Sequence, residues 1–145
     1  MFTDEERHFF AQEQALHEEK YQAGTNPRQQ SGFGRGEQVW KCYRRVVTAP
    51  IERHGTFLDV GCANGLLMES VVRWASQDGH CIEPYGVDTS HKLAELARRR
   101  LPPWQERIFI GNALLRAAPF RFDFVRTEMV YVPHHQGVLR ACSAR

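Results

Sequence analysis

The sequence has no CxxC pair, no apolar run approaching the ~18 residues of a membrane span, and almost no excess of either charge. Each absence removes a class. Cys42, Cys62, Cys81 and Cys142 are scattered, so zinc-ligand spacing and a disulfide framework are both missing. Reduced thiols in a cytoplasmic protein are the expectation, and no metal site is expected. The net charge is +2, from 19 Lys and Arg against 17 Asp and Glu; nucleic acid is therefore not indicated as a partner. The opening MFTDEERHFF is acidic and lacks the apolar centre of a signal peptide, so no membrane association is expected. Also lacking are internal repeats and the G-x-G-x-x-G spacing that cradles a dinucleotide pyrophosphate.

What is present is a chain of 145 residues, 42% hydrophobic and 25% charged. That is enough for one globular domain with a real core. Residues 1–50 form an N-terminal helical segment and residues 51–145 the core. Residues 3–22 predict a polar helix opened by a Thr3–Glu6 capping box, with Phe9, Phe10, Leu16 and Tyr21 as its sparse apolar positions. The stretch AGTNPRQQSGFGRG that follows carries four glycines and a proline, and predicts a loop long enough to serve as a lid or binding segment. Helical spacing resumes at Val39, Trp40, Tyr43, Val46 and Val47, and Pro50 ends it.

From His54 the pattern changes to strand, helix, strand, helix, strand. TFLDV, EPYGVD and RIFIGNA read as short strands, and FDFVRTEMVYV contains a fourth. Between them lie two amphipathic helices. One buries Leu67, Val71 and Trp74. The other is capped by Ser90, with Leu93, Leu96, Ala97 and Leu101 as its stripe. Such alternation predicts an α/β fold built on a parallel sheet.

In a parallel sheet, ligands gather at the carboxyl ends of the strands. Asp59 and Asp88 both stand there, each closing an apolar run and opening a turn. After Asp59 the turn reads Gly61-Cys62-Ala63-Asn64-Gly65. A pyrophosphate gains nothing from an acid beside its turn. S-adenosylmethionine presents a sulfonium, an ammonium and a ribose diol, and an acid can bond these. Asp88 suits a ribose in either ligand, so Asp59 with its turn is what separates them.

These stretches resemble the class I S-adenosylmethionine-dependent methyltransferases, over residues 56 to about 132. LDVGCANG is similar to that family's first motif, YGVDTS to the second and GNALL to the third. The resemblance implies S-adenosyl-L-methionine as cofactor and a Rossmann-like, mostly parallel sheet. About four strands are expected here, with helices on both faces and two helices preceding. It implies that Asp59, Gly61, Cys62, Ala63, Asn64 and Gly65 line the methionine end, that Asp88 and Thr89 take the ribose, and that Asn112 and Ala113 take the adenine. Where the family has an acid at the third motif, this chain offers the amide oxygen of Asn112. The family sheet has seven strands. The core is expected to be C-terminally incomplete, with strand four as an exposed edge that a second copy or a partner chain could cover.

Other features carry less. SGFGRG follows no strand, so a phosphate loop is disfavoured and a linker or a lid over the cofactor remain. His134 and His135 are either a general base or exposed loop residues. Glu128 either touches substrate or is solvated. Arg98, Arg99 and Arg100 suit a helix C-terminus. Cys62 fits its tight turn as a small residue. No catalytic residue is assigned, because methyl transfer demands mainly alignment of acceptor and sulfonium. The expected function is methyl transfer to an unidentified acceptor. The alternatives are an inactive, truncated or partner-dependent cofactor-binding module and, further off, a nucleotide-dependent oxidoreductase.

Overall fold

The computed structural model describes residues 3–128. Helix α1 spans Asp4–Gln22 and opens with the expected capping box: Glu6 N donates to Thr3 Oγ1 and Thr3 N to Glu6 Oε2. No residue of α1 is buried, and Leu16 is largely exposed. Helix α2, Glu37–Arg44, tightens into a 3-10 turn over Arg45–Thr48. It inserts Trp40, whose Nε1 donates to Ser70 Oγ at 3.2 Å.

Four strands follow: β1 (Gly55–Val60), β2 (Ile82–Asp88), β3 (Ile108–Ile110) and β4 (Phe124–Arg126), with α3 (Leu66–Gln77) after β1 and α4 (His91–Arg100) after β2. They form one all-parallel sheet in the order β3-β2-β1-β4. The four-stranded parallel α/β architecture expected from the sequence is what is found. Its detail follows from chain handedness. The crossovers β1→β2→β3 step in one direction, and right-handed connections place both of their helices on the same face. On that face Phe57 and Ile82 pack with Leu67, Val71, Trp74 and Ala75 of α3, and Trp40 closes the cluster. Beside them Ile108 packs with Met68, Ala94 and Ala97. Fully burying a side chain such as Phe57 or Val71 contributes about 1.5–3 kcal/mol.

The connection from β3 to β4 runs back the other way and so crosses the opposite face. No helix lies in it; residues 111–123 instead lay Phe120 and Phe122 against Tyr85 of β2. Within the described residues, α3 and α4 therefore share one face, whereas the sequence pattern predicts helices on both. Two side-chain expectations shift as well. In α4 the buried positions are Leu93, Ala94 and Ala97, while Leu96 is half-buried. A small alanine at 94 lets the helix approach the sheet. Strand β4 is three residues long, and the remainder of the predicted fourth strand and His134 and His135 lie outside the described residues. No described helix is long and apolar enough to cross a membrane.

Candidate functional site

Reversal of the winding direction beside β1 makes a crevice at the carboxyl ends of β1 and β4, the place where open α/β sheets take ligands. The turn after β1 alternates its backbone sign: Gly61 has φ 76°, Ala63 φ 46° and Gly65 φ 77°. A side chain at Gly65 would meet Leu101 Cδ1 at 2.5 Å, so α4 fixes glycine there. Ala63 holds its left-handed conformation because its N–H donates to Asp88 Oδ2 at 2.8 Å. The amides of Gly61 and Cys62 both donate to Val87 O, Gly65 N donates to Cys62 O, and Leu66 N to Asn64 Oδ1. Five N–H groups that a phosphate cradle would need are thus already used inside the protein.

Two cavities meet above this turn, both walled by Tyr21 and Gly61. The first, about 130 Å³, is lined by the tips of β1, β2 and β3 and by one side of α1. Gly61, Asp88, Thr89, Asn112 and Ala113 lie along it, with Phe9, Phe10, Val87 and Leu93 as apolar walls. Asp88 is 9% exposed and accepts from Ala63 N and Ser90 N. Burial raises its pKa, and these two backbone bonds oppose the rise. Each carboxylate oxygen keeps a second lone pair for a ligand hydroxyl. Asn112 Oδ1 already accepts from Leu114 N at 2.9 Å, so it too has one lone pair to offer.

The second cavity, about 140 Å³, is bounded by Asp59, Cys62, Ala63, Arg126, Glu128 and, from the N-terminal segment, Trp40, Arg44 and Gly32. Asp59 is 1% exposed. Burial pushes its carboxyl up to about 6, against the pull of Arg126. Arg126 Nη1 donates to Asp59 Oδ1 at 3.0 Å, its other nitrogen bonds Glu128, and Arg44 Nη1 reaches Glu128 Oε1 at 2.8 Å. The four groups form a balanced chain: acid, base, acid, base. Asp59 is accordingly not the lone negative charge that its place in the sequence suggests. The case against a phosphate ligand passes from that charge to the occupied turn amides. Among the described residues two buried side-chain atoms lack a hydrogen-bond partner, Asp59 Oδ2 and Arg44 Nε, and residues of both line this cavity.

The remaining predicted residues are structural here. Asn64 is fully buried and lines neither described cavity; its Nδ2 donates to Pro27 O at 2.8 Å, and its carbonyl accepts from Arg100. Arg98 donates to Ile108 O. The Cys62 thiol is buried, and its pKa is raised by that burial. Glu128 is engaged by the two arginines. The glycine-rich loop reaches the second cavity only through Ser31 and Gly32, where a side chain at Gly32 would come within 2.4 Å of the Tyr21 hydroxyl. The roof of the first cavity is α1. Sequence spacing passes over Tyr21, Arg44 and Arg126 because their meeting is made by the fold.

The chain superposes on a protein named as a class I S-adenosylmethionine-dependent methyltransferase from Listeria monocytogenes, with a TM-score of 0.50 at 15% identity. It has the class I S-adenosylmethionine-dependent methyltransferase fold. That match covers 83% of this chain and 38% of the Listeria chain. A methyltransferase from Geobacter sulfurreducens, solved with S-adenosyl-L-homocysteine, matches at TM-score 0.42 and 19% identity, over 62% of this chain and 35% of that one. The plantazolicin methyltransferase BamL, also solved with that product, matches at 0.44 and 16%, over 83% of this chain and 42% of its own. This chain therefore spans well under half the length of these methyltransferase-fold structures. No family model and no curated protein matches the sequence.

Proposed function

We propose that this chain binds S-adenosyl-L-methionine along the carboxyl end of its sheet, as part of a protein that transfers the methyl group to an acceptor. The observation that carries the proposal is the site itself: two joined cavities over a glycine turn whose amides are already spent. Such a site offers acceptors and apolar walls to a nucleoside and withholds the donors that a pyrophosphate requires. The residues present fit the cofactor. Asp88 would take the ribose hydroxyls, and Phe9, Phe10, Val87 and Leu93 would flank the base. The unpartnered Oδ2 of Asp59 would accept from the ammonium.

When bound, the cofactor supplies a methyl group on a sulfonium, an electrophile that needs no further activation. The protein's own task is to hold it, exclude water and align the acceptor, and alignment alone lowers barriers by up to ~7–11 kcal/mol in favourable systems. The acceptor is a small molecule or a macromolecule. A cytoplasmic setting, with free thiols at Cys42, Cys62 and Cys81, belongs to the same proposal.

Titration calorimetry tests it. S-adenosylmethionine is expected to bind, and Asp88→Ala to weaken it roughly tenfold or more, the scale of a hydrogen bond to a charged group. Tighter binding of NAD than of S-adenosylmethionine by the unaltered protein would overturn the proposal. A second reading, a cofactor-binding module completed by a partner chain, is favoured by β4. Among the described strands it pairs only with β1, and Val125 is 60% exposed. A stable dimer or hetero-complex at the β4 edge, seen by light scattering, supports that module; a monomer that binds cofactor removes it.

A further inference from the structure

We propose that Arg44 reads the α-carboxylate of the cofactor, and that the chain Asp59–Arg126–Glu128–Arg44 makes the second cavity a seat for an α-amino-acid zwitterion. This rests on the cofactor proposal above and adds to it a specificity that no motif in the sequence announces. Three observations carry it. The two partnerless buried atoms are one acceptor, Asp59 Oδ2, and one donor, Arg44 Nε. They belong to residues walling the same cavity, and that cavity joins the first at Gly61 and Tyr21. A ligand group that satisfies both must itself present a donor and an acceptor, which an ammonium and a carboxylate on one carbon do.

Charge decides against other occupants. The four resident groups sum to zero, so a neutral zwitterion leaves the balance unchanged. A phosphate would find two guanidiniums but also the bare Asp59 oxygen and Glu128, both of which repel it. A metal cation would find two carboxylates already paired with arginine, and no metal-ligating cluster occurs among the described residues. Arg44 is also held in place: its guanidinium lies 5.6 Å from the Trp40 ring centroid, and Glu128 fixes Nη1. The fork thus has its donor at Nε left over. An arginine so placed is a pre-set carboxylate receptor.

Two consequences distinguish this seat from a merely spacious cavity. A nucleoside without the amino-acid arm, 5′-methylthioadenosine, fills only the first cavity and leaves both partnerless atoms as they were. Decarboxylated S-adenosylmethionine satisfies Asp59 and leaves Arg44 Nε unbonded, adding a net charge to a balanced pocket.

The test is calorimetry of the intact chain with S-adenosylmethionine, decarboxylated S-adenosylmethionine and methylthioadenosine, on the unaltered protein, Arg44→Met and Arg44→Lys. The unaltered protein is expected to bind the decarboxylated form at least roughly tenfold more weakly, the worth of one charge-assisted hydrogen bond. Arg44→Met is expected to weaken S-adenosylmethionine by roughly ten- to a hundredfold while holding methylthioadenosine within about twofold. Arg44→Lys should fall between. If the unaltered protein binds S-adenosylmethionine and its decarboxylated form equally, the role of Arg44 is overturned and the cofactor proposal stands; this comparison needs no variant to fold. Equal weakening of all three ligands by Arg44→Met, with a lowered melting temperature, overturns it too, because Arg44 is then only structural. If none of the three binds the unaltered protein, the cofactor proposal falls and this one with it.

Discussion

Strands β1 and β4 are joined by an aspartate and an arginine at each end of their pairing, and the two joints are built on opposite terms. At the amino end Asp123 accepts from Thr56 N, Thr56 Oγ1 and Arg53 in the open. Those bonds hold its carboxyl at about 2, well below the ordinary range, with the Thr56 amide as the largest cause. At the carboxyl end Asp59 is buried, meets Arg126 through one oxygen, has no partner for the other, and sits at about 6. A completed, solvated clasp fastens strands. A buried and half-satisfied one keeps binding capacity in reserve at the expense of stability. Similar pairings of side chains therefore do two jobs, and the end of the sheet at which they lie decides which.

The comparison breaks first at Arg126. Arg126→Met strips a buried carboxylate of its counter-ion and is expected to lower unfolding free energy by about 3–5 kcal/mol, measured by denaturant titration. The double variant Asp59→Asn/Arg126→Met should recover most of the loss. If the single variant is as stable as the parent, Asp59 is not the buried, paired charge described here.

The pH profile is the next lever. Asp59, raised from the ordinary 3.8 to about 6, favours the fold fully below pH ~4 and loses that contribution as pH rises through about 6, by roughly 3 kcal/mol at most. Asp59→Asn should remove this decline, so that parent and variant converge in acid and separate above neutrality. Ligand affinity runs the other way. A protonated Asp59 cannot take an ammonium, so S-adenosylmethionine should bind progressively more weakly as the pH drops below about 6, and that dependence should vanish in the same variant.

The smallest effect belongs to Asp123. Its lowered pKa means that its contribution is present above pH ~4 and is lost as the pH falls through about 2. Asp123→Asn should therefore erase a stretch of acid sensitivity and leave cofactor binding unchanged. A change in binding would show that the two ends of the β1–β4 joint are coupled.

Much of the fold was legible because it is written locally. The helical stripe of α3, the Ser90 cap of α4 and the apolar runs ending at Asp59 and Asp88 each occupy a dozen residues or fewer. Legibility failed where partners are far apart in the chain. Arg44 and Glu128 are 84 residues apart, and Arg126 and Asp59 67, so no spacing could announce their cluster. The expected lid is a case of misplaced emphasis. Glycine content drew attention to residues 31–36, but the roof of the first cavity is the polar helix α1, whose Phe9, Phe10 and Tyr21 looked too sparse for a binding face. Helices on both faces were expected from the family sheet, whereas handedness and strand order put α3 and α4 together.

The parallel pairing of β1 with β4 also has a bearing on how the chain acquires its shape. Asp123 must find Thr56 across 67 residues, after β2 and β3 have been laid down on the other side of β1. Closing so long a loop delivers its reward late, and topologies rich in distant contacts assemble slowly. On the ribosome β1 emerges well before β4. Through that interval one edge of β1 lies bare, and Asp59 has yet to meet Arg126, so the nascent domain has a cofactor floor before it has the wall that completes it.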